Sequence, residues 1–257
     1  LCLDRDPQVS SLNPEQCRAV GVETLFLTVD TAITSRRERD VRNGFLAINR
    51  MTPNLAWQFA HRPAWLLDLL RGGFPEVELV RGRPEFGKGA LAQAGNLSRR
   101  LDKDLNWEKV RRLRDDWHGK LVIKGISDPD DARQAKLEGV DGIVVSNHGG
   151  RQLDHGVSTV SLIAAVREEI GPDLALYVDS GFRRGSDIVK ALALGADYVL
   201  LGRPFAWAVA AAGERGAMKI FELLQTEIEI TLQLMGLSSV HELKRRGSKA
   251  IIKQNLL

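Results

Sequence analysis

Five short apolar runs, each ending on a polar or charged residue, limit the fold of this chain more than any other feature. They are Thr24–Val29 before Asp30, Lys120–Ile123 before Lys124, Gly142–Val145 before Ser146-Asn147-His148, Leu174–Val178 before Asp179, and Tyr198–Leu201 before Gly202-Arg203. Each run is continuous rather than alternating, which is the pattern of parallel strands covered on both faces. Helical patterns separate them. Asp128 and Pro129 open one helix as N-cap and first-turn residue, and Gly139 stops it. A second starts at Ser158, lines up Leu162, Ile163 and Val166, and stops at Gly171-Pro172. Further helices are expected over Ser186–Leu194, Pro204–Ala212 and Lys219–Met235, with a short one from Ser238 or Ser239.

Strand–helix alternation gives an α/β fold with a parallel sheet. The spacing, about 25–30 residues per unit, suits either an open doubly wound sheet or a (β/α)8 TIM barrel. Asp30, Lys124, His148, Asp179 and Arg203 all fall at C-terminal strand ends. In a barrel those ends converge on one mouth, so the barrel is the favoured reading, although a barrel has eight strands and five are legible here. Residues 32–106 break the rhythm. They read as one long loop or lid insertion, with a short apolar helix at Pro63–Leu70 and glycine-rich stretches at Gly72-Gly73 and Gly82–Gly95.

Composition removes several classes. With 44% hydrophobic residues and 36 Lys+Arg against 33 Asp+Glu, the 257-residue chain is not a disordered tail. Its charges are interspersed, as in Arg111-Arg112-Leu113-Arg114-Asp115-Asp116, so no nucleic-acid partner is expected. Two cysteines, Cys2 and Cys17, make neither a disulfide framework nor a four-thiolate centre. No metal is expected, and a reducing, cytoplasmic setting is the default. No apolar run reaches the roughly 18 residues a spanning helix needs. The chain starts at Leu1 without an initiator Met, so it is expected to be part of a longer polypeptide.

The chemistry gathers on Ser146-Asn147-His148-Gly149-Gly150-Arg151-Gln152-Leu153-Asp154. A histidine at a strand end is a ready proton acceptor near neutral pH, and an arginine three residues on offers a planar fork to a carboxylate. The glycines between them let backbone approach a ligand. This run resembles the signature of the FMN-dependent 2-hydroxy acid dehydrogenase/oxidase family. The motifs Leu27–Thr31 with Arg37–Asp40, Ile123-Lys124-Gly125, Asp179–Gly185 and Leu201-Gly202-Arg203 match in the same order. The resemblance runs along nearly all of the chain and is weakest across 51–106. It implies that residues 1–257 are the C-terminal part of one FMN-binding barrel, about strands four to eight, with the first three strands absent.

The resemblance also implies a set of roles. His148 is the base, Asp30 orients and stabilises its imidazolium, and Lys124 is the cation beside the flavin's N1–C2=O edge. Arg37 and Arg151 bind the substrate carboxylate together with His148. Thr28 contacts the flavin ring, and Asp179, Gly181, Arg183, Gly202 and Arg203 complete the FMN site. Arg36 and Arg184 are read as solvent-facing or structural, Arg39 and Asp40 as an ion pair, and His61, His118, His155 and His241 as ordinary surface or loop residues. The stretch DSGFRRGSDIVKALALGA at 179–196 is similar to the mandelate dehydrogenase branch. The implied reaction is (S)-mandelate to benzoylformate with a quinone-type acceptor. L-lactate dehydrogenation, or oxidation of a 2-hydroxy acid by O2, is the alternative. From another class, a non-redox phosphate-binding barrel fragment would use the phosphate residues alone. A homotetramer is the family expectation. Residues 50–106, with Trp65, Leu66, Leu67, Leu69 and Leu70 on one helix and basic residues in excess, could lie on the inner face of the cell membrane. The same segment would otherwise serve as a lid or a subunit contact.

Overall fold

A computed structural model describes residues 14–33, 35, 37–42, 52–73 and 75–251. Cys2 and Arg36 lie outside the described residues. The described chain divides into two units, one of residues 14–31 with 104–251 and the other of residues 32–103. The larger unit carries five parallel strands in sequential order: β1 (Thr24–Thr28), β2 (Lys120–Ile126), β3 (Gly142–Val145), β4 (Ala175–Val178) and β5 (Tyr198–Val199). All four pairings are parallel. The five apolar runs are therefore strands; β3 keeps its bounds, β1 and β4 are each one residue shorter, and two change more. β2 runs on through Gly125 to Ile126, past a register shift between Lys124 and Ile126, and β5 is cut to two residues.

The sheet is curled. Phe26 of β1 and Tyr177 of β4 meet edge to face with ring centroids 5.7 Å apart. Three interstrand spacings would hold those strands about 14 Å apart in a flat sheet. The Tyr177 ring has room because Gly142 has no side chain, since a Cβ there would stand 3.3 Å from Tyr177 Cε2.

Residues 32–103 are not a single loop around one helix. They hold α1 (Glu38–Arg42), α2 (Pro53–Ala60), α3 (Pro63–Gly72) and α4 (Ala90–Arg100), with two 3-10 turns at Glu78–Val80 and Pro84–Phe86. Thr52 caps α2 by accepting the Leu55 N–H, and Pro53 sits in its first turn. Gln93 of α4 is 1% exposed and accepts the Val77 N–H at 2.6 Å, so a polar residue organises this unit's interior beside Phe86 and Val80.

The larger unit continues with α5 (Trp107–Asp116), α6 (Pro129–Leu137), α7 (Thr159–Ile170), α8 (Gly185–Ala193), α9 (Arg203–Leu234) and α10 (Val240–Arg246). The two helices expected over 204–235 form one element, α9, broken only at Ala212-Gly213. Leu27, Leu121, Ile123, Ile143, Val145, Leu176 and Val178 of the sheet pack against Leu113, Trp117, Ala132, Ile163, Val166, Ile170 and Ala191. A second cluster joins Ile188 and Leu192 to Leu224, Leu232, Leu237 and Leu243.

Aspartates secure the N-terminal end of the sheet. Asp141 precedes β3, and its carboxylate takes the Leu121 N–H and the Arg114 guanidinium, each at 2.9 Å. Asp197 repeats this before β5, with the Leu176 N–H at 3.0 Å, Arg167 at 2.6 Å and Lys244 at 3.1 Å. Burial pushes the Asp197 carboxyl up, but the Leu176 N–H, Lys244 and Arg167 outweigh it and leave it below the ordinary range. Such anchors at the N-terminal face of a parallel sheet serve stability, which leaves the opposite face for chemistry.

Farther along, Ser239 caps α10 by accepting the Glu242 N–H. Glu242 in turn accepts the Ser238 N–H and hydroxyl, each at 2.9 Å. These bonds, with Arg246, push its carboxyl down to about 2 from 4.5. Because the folded-state carboxyl ionises below the unfolded one, its stabilisation is complete above pH 4.5 and is lost as the pH falls through about 2. Denaturant melts of Glu242→Gln and parent should therefore differ most near neutral pH and converge in strong acid.

Candidate active site

The strand register brings the chemical residues together. Thr28 pairs with Lys124, and Lys124 pairs with Val144, so the ends of β1, β2 and β3 lie side by side. The ladder reaches just past the strands, through Val29 N–H to the Lys124 carbonyl and Ser146 N–H to the Ile126 carbonyl. The turn after β3 then crosses the end of β2 and puts His148 Nδ1 3.2 and 3.3 Å from the two Asp30 carboxylate oxygens. Gly125 makes that crossing possible. Its φ is +114°, and a Cβ there would stand 2.7 Å from Asp30 Cβ and 2.8 Å from Asp30 N. With Nδ1–H donated to Asp30, Nε2 of His148 is the ring nitrogen left to accept a proton.

Lys124 is held between two acceptors. Its Nζ is 2.9 Å from Ser146 Oγ and 3.0 Å from Asp179 Oδ2. Ser146 Oγ also accepts the His148 N–H at 3.1 Å. Asp179 accepts the Ser180 hydroxyl at 2.7 Å on its other oxygen, and Ser180 Oγ accepts the N–H groups of Asn147 and Gly149. Asn147 closes the turn by accepting the Gly150 N–H and donating its amide to the Val157 carbonyl. Ser146 and Asn147 stand in the run that carries His148, and Ser180 stands beside Asp179, but the sequence assigns none of the three a role. Ser146 and Asn147 immediately precede His148, which is the signal that could have given them one.

Gly181 lies after β4 with φ +92°, and Gly202 opens α9; a Cβ at either would meet nothing within 4 Å. Arg203 donates to the Gly149 carbonyl at 2.9 Å, tying the start of α9 to the His148 turn. The Arg183 guanidinium lies 4.8 Å from the Trp207 ring centroid. Trp207 follows Arg203 by four residues on α9, so both arginines come to one side of that helix. Arg184 pairs instead with Glu227 at 2.7 Å, as befits a structural residue.

Arg151 is exposed on the turn three residues after His148. Arg37 belongs to the unit of residues 32–103, where it pairs with Asp40 at 3.8 Å. That pair replaces the expected Arg39–Asp40 contact.

Comparison with known proteins identifies the family. The model of the FMN-dependent dehydrogenase family matches residues 1–250. Over 233 residues the chain is 39% identical to an L-lactate dehydrogenase of Serratia proteamaculans, covering 89% of this chain and 60% of that protein. It is 40% identical to an L-lactate dehydrogenase of Pseudomonas aeruginosa, with the same coverage. Among solved structures it resembles a monotopic membrane protein, (S)-mandelate dehydrogenase, with a TM-score of 0.88 and 37% identity over 94% of this chain and 64% of that one. The chain thus spans about three fifths of the length of the relatives it matches. The family and this neighbour imply a (β/α)8 barrel, to which β1–β5 contribute five parallel strands. By motif order, family match and site geometry together, the chain belongs to the FMN-dependent dehydrogenase family.

Proposed function

We propose that the protein containing this chain oxidises an (S)-2-hydroxy acid to the 2-oxo acid with FMN, converting (S)-mandelate to benzoylformate. The observation that carries this is the His148–Asp30 pair at 3.2 Å with Lys124 on the neighbouring strand end. A phosphate-binding barrel without redox chemistry has no use for that pair. The residues present fit FMN. Gly181 and Gly202 leave open space over their backbone, Arg183 and Arg203 supply guanidinium donors, and the start of α9 adds backbone N–H groups, a suitable donor set for a phosphate. Thr28 and Lys124 would face the ring, with Asp179 holding Lys124.

FMN, when bound, would supply the acceptor for the two electrons and for the substrate hydrogen that His148 does not take. Arg37 and Arg151 grip the substrate carboxylate with paired donors, a geometry that lysine lacks. His148 Nε2 accepts the substrate proton, and Asp30 holds the ring and stabilises its positive charge. Lys124 places a cation where negative charge develops. Residues 32–106 act as an insertion after β1, and the assembly is a homotetramer.

L-lactate is the second substrate reading, carried by the 39–40% identity to enzymes bearing that name. An anaerobic screen of the FMN-loaded protein separates the two. Bleaching of the visible flavin band should be fastest with (S)-mandelate; faster bleaching by L-lactate reverses the order, and no bleaching by either or by glycolate removes the reading.

The acceptor we propose is a quinone, reached from the membrane surface. No helix of the described residues is long and apolar enough to cross a membrane. In α2 and α3, however, Trp57 is 67%, Trp65 48%, Leu67 51% and Leu70 79% exposed. Aromatic and leucine side chains on short exposed helices suit an interfacial attachment. The parent should float with anionic vesicles. A variant carrying Trp57→Ser, Trp65→Ser, Leu67→Ser and Leu70→Ser should stay at the bottom of the gradient while its flavin still bleaches. Equal flotation of the two would remove the membrane contact from these helices.

A further inference from the structure

We infer that Ser180 is a positioning residue for this site, its one hydroxyl fastening the turn that carries His148 to the carboxylate that holds Lys124. The inference rests on the reading of His148 and Lys124 as base and cation. Ser180 lies between Asp179 and Gly181, just past β4, and its φ is +78°. That is left-handed backbone, where glycine is at ease and serine is strained by about 1–3 kcal/mol. The side chain must therefore supply something a glycine cannot.

The hydroxyl uses its whole bonding capacity. It donates to Asp179 Oδ1 at 2.7 Å and accepts the N–H groups of Asn147 at 3.2 Å and Gly149 at 3.0 Å. One donor and two acceptor positions are all a hydroxyl has. The amide between those two, of His148, goes to Ser146 Oγ at 3.1 Å. Three successive N–H groups across the base are thus taken by two serine hydroxyls. The links close into a ring, because Asp179 Oδ2 is 3.0 Å from Lys124 Nζ and Lys124 Nζ is 2.9 Å from Ser146 Oγ. His148 is itself left-handed, with φ +55°, so its ring reaches Asp30 only while this turn is held. Ser180 supplies the cross-link between the loops after β3 and β4, and through Asp179 it couples the placement of the base to that of the cation.

The test separates the hydroxyl from the backbone. Ser180→Gly loses the three bonds but relaxes the strained φ, whereas Ser180→Ala loses the bonds and keeps the strain. In the FMN-loaded full chain, Ser180→Gly should melt at or above the parent Tm, and Ser180→Ala below it. Both should show amide exchange at Asn147 and Gly149 about tenfold faster than the parent, and flavin reduction at saturating acid about tenfold slower. The acid concentration at half-saturation should change less than the reduction rate does, because Ser180 itself touches neither carboxylate-binding arginine. A parent-like exchange rate at the two amides, or a parent-like reduction rate in Ser180→Gly, overturns the inference. So does a reduction rate that merely follows Tm across the two variants. If the parent itself is not reduced by any 2-hydroxy acid, the reading of the reaction has failed, and the exchange rates still decide whether Ser180 holds the turn.

Discussion

Replacing His148 with asparagine should slow anaerobic flavin reduction by about 10²–10⁴-fold, the usual worth of a positioned general base. Asparagine suits this position because the residue sits at φ +55°, a left-handed conformation that asparagine tolerates better than most side chains. The variant should therefore keep its fold, its yellow colour and a Tm close to the parent's. Its amide can still hydrogen-bond toward Asp30, but it has no basic nitrogen to take the proton now assigned to Nε2. Stopped-flow reduction with saturating acid checks the rate, and a thermal melt checks the fold. A loss under tenfold would move the base to another residue.

Gly125→Ala should damage stability and reaction together. A methyl group there would stand 2.7–2.8 Å from Cβ, Cγ and N of Asp30, and the backbone at φ +114° disfavours any side chain. Strain of about 1–3 kcal/mol and overpacking of similar size add to a loss of several kcal/mol. Relief can come only by moving Asp30 away from His148 Nδ1 or by opening the β1–β2 ladder at its C-terminal end, where Val29 N–H meets the Lys124 carbonyl. Denaturant melts should show the stability loss, and whatever folds should reduce its flavin far more slowly. Gly139→Ala is a fair control, since a Cβ at Gly139 meets nothing within 4 Å although its φ is +72°. It should cost only its backbone strain and leave the reduction rate alone.

The larger unit was legible in the sequence because its strands are buried on both faces, which makes continuous apolar runs, and because glycines and proline mark its helix ends. The placement of Asp30, Lys124 and His148 was legible for a related reason, since polar residues at or just past the end of a buried run lie at the sheet's C-terminal end, although β2 continues two residues beyond Lys124. Residues 32–103 were not. In α4 a buried position belongs to Gln93, whose side chain accepts the Val77 N–H, so a polar residue stands where an apolar one would have marked the helix. Gly95 inside the same helix argues against it as well. The buried residues that would have marked α2 do not exist, because every described side chain in it is at least partly exposed. Within α9, Gly213-Glu214-Arg215-Gly216 reads as a loop. The helix resumes at once because Gly216 has no side chain to strike the Ala208 carbonyl. Ser180 was hidden for the opposite reason, since a left-handed turn is readable from sequence when glycine occupies it and not when serine does.

The most direct test of the central claim is product stoichiometry in a single anaerobic turnover. The FMN-loaded protein, mixed with (S)-mandelate in the absence of any acceptor, should release one benzoylformate for each flavin reduced, and His148→Asn should release almost none over the same interval. Bleaching without a 2-oxo acid, or equal product from parent and His148→Asn, would contradict the account of His148, Asp30 and Lys124 as the groups that oxidise a 2-hydroxy acid.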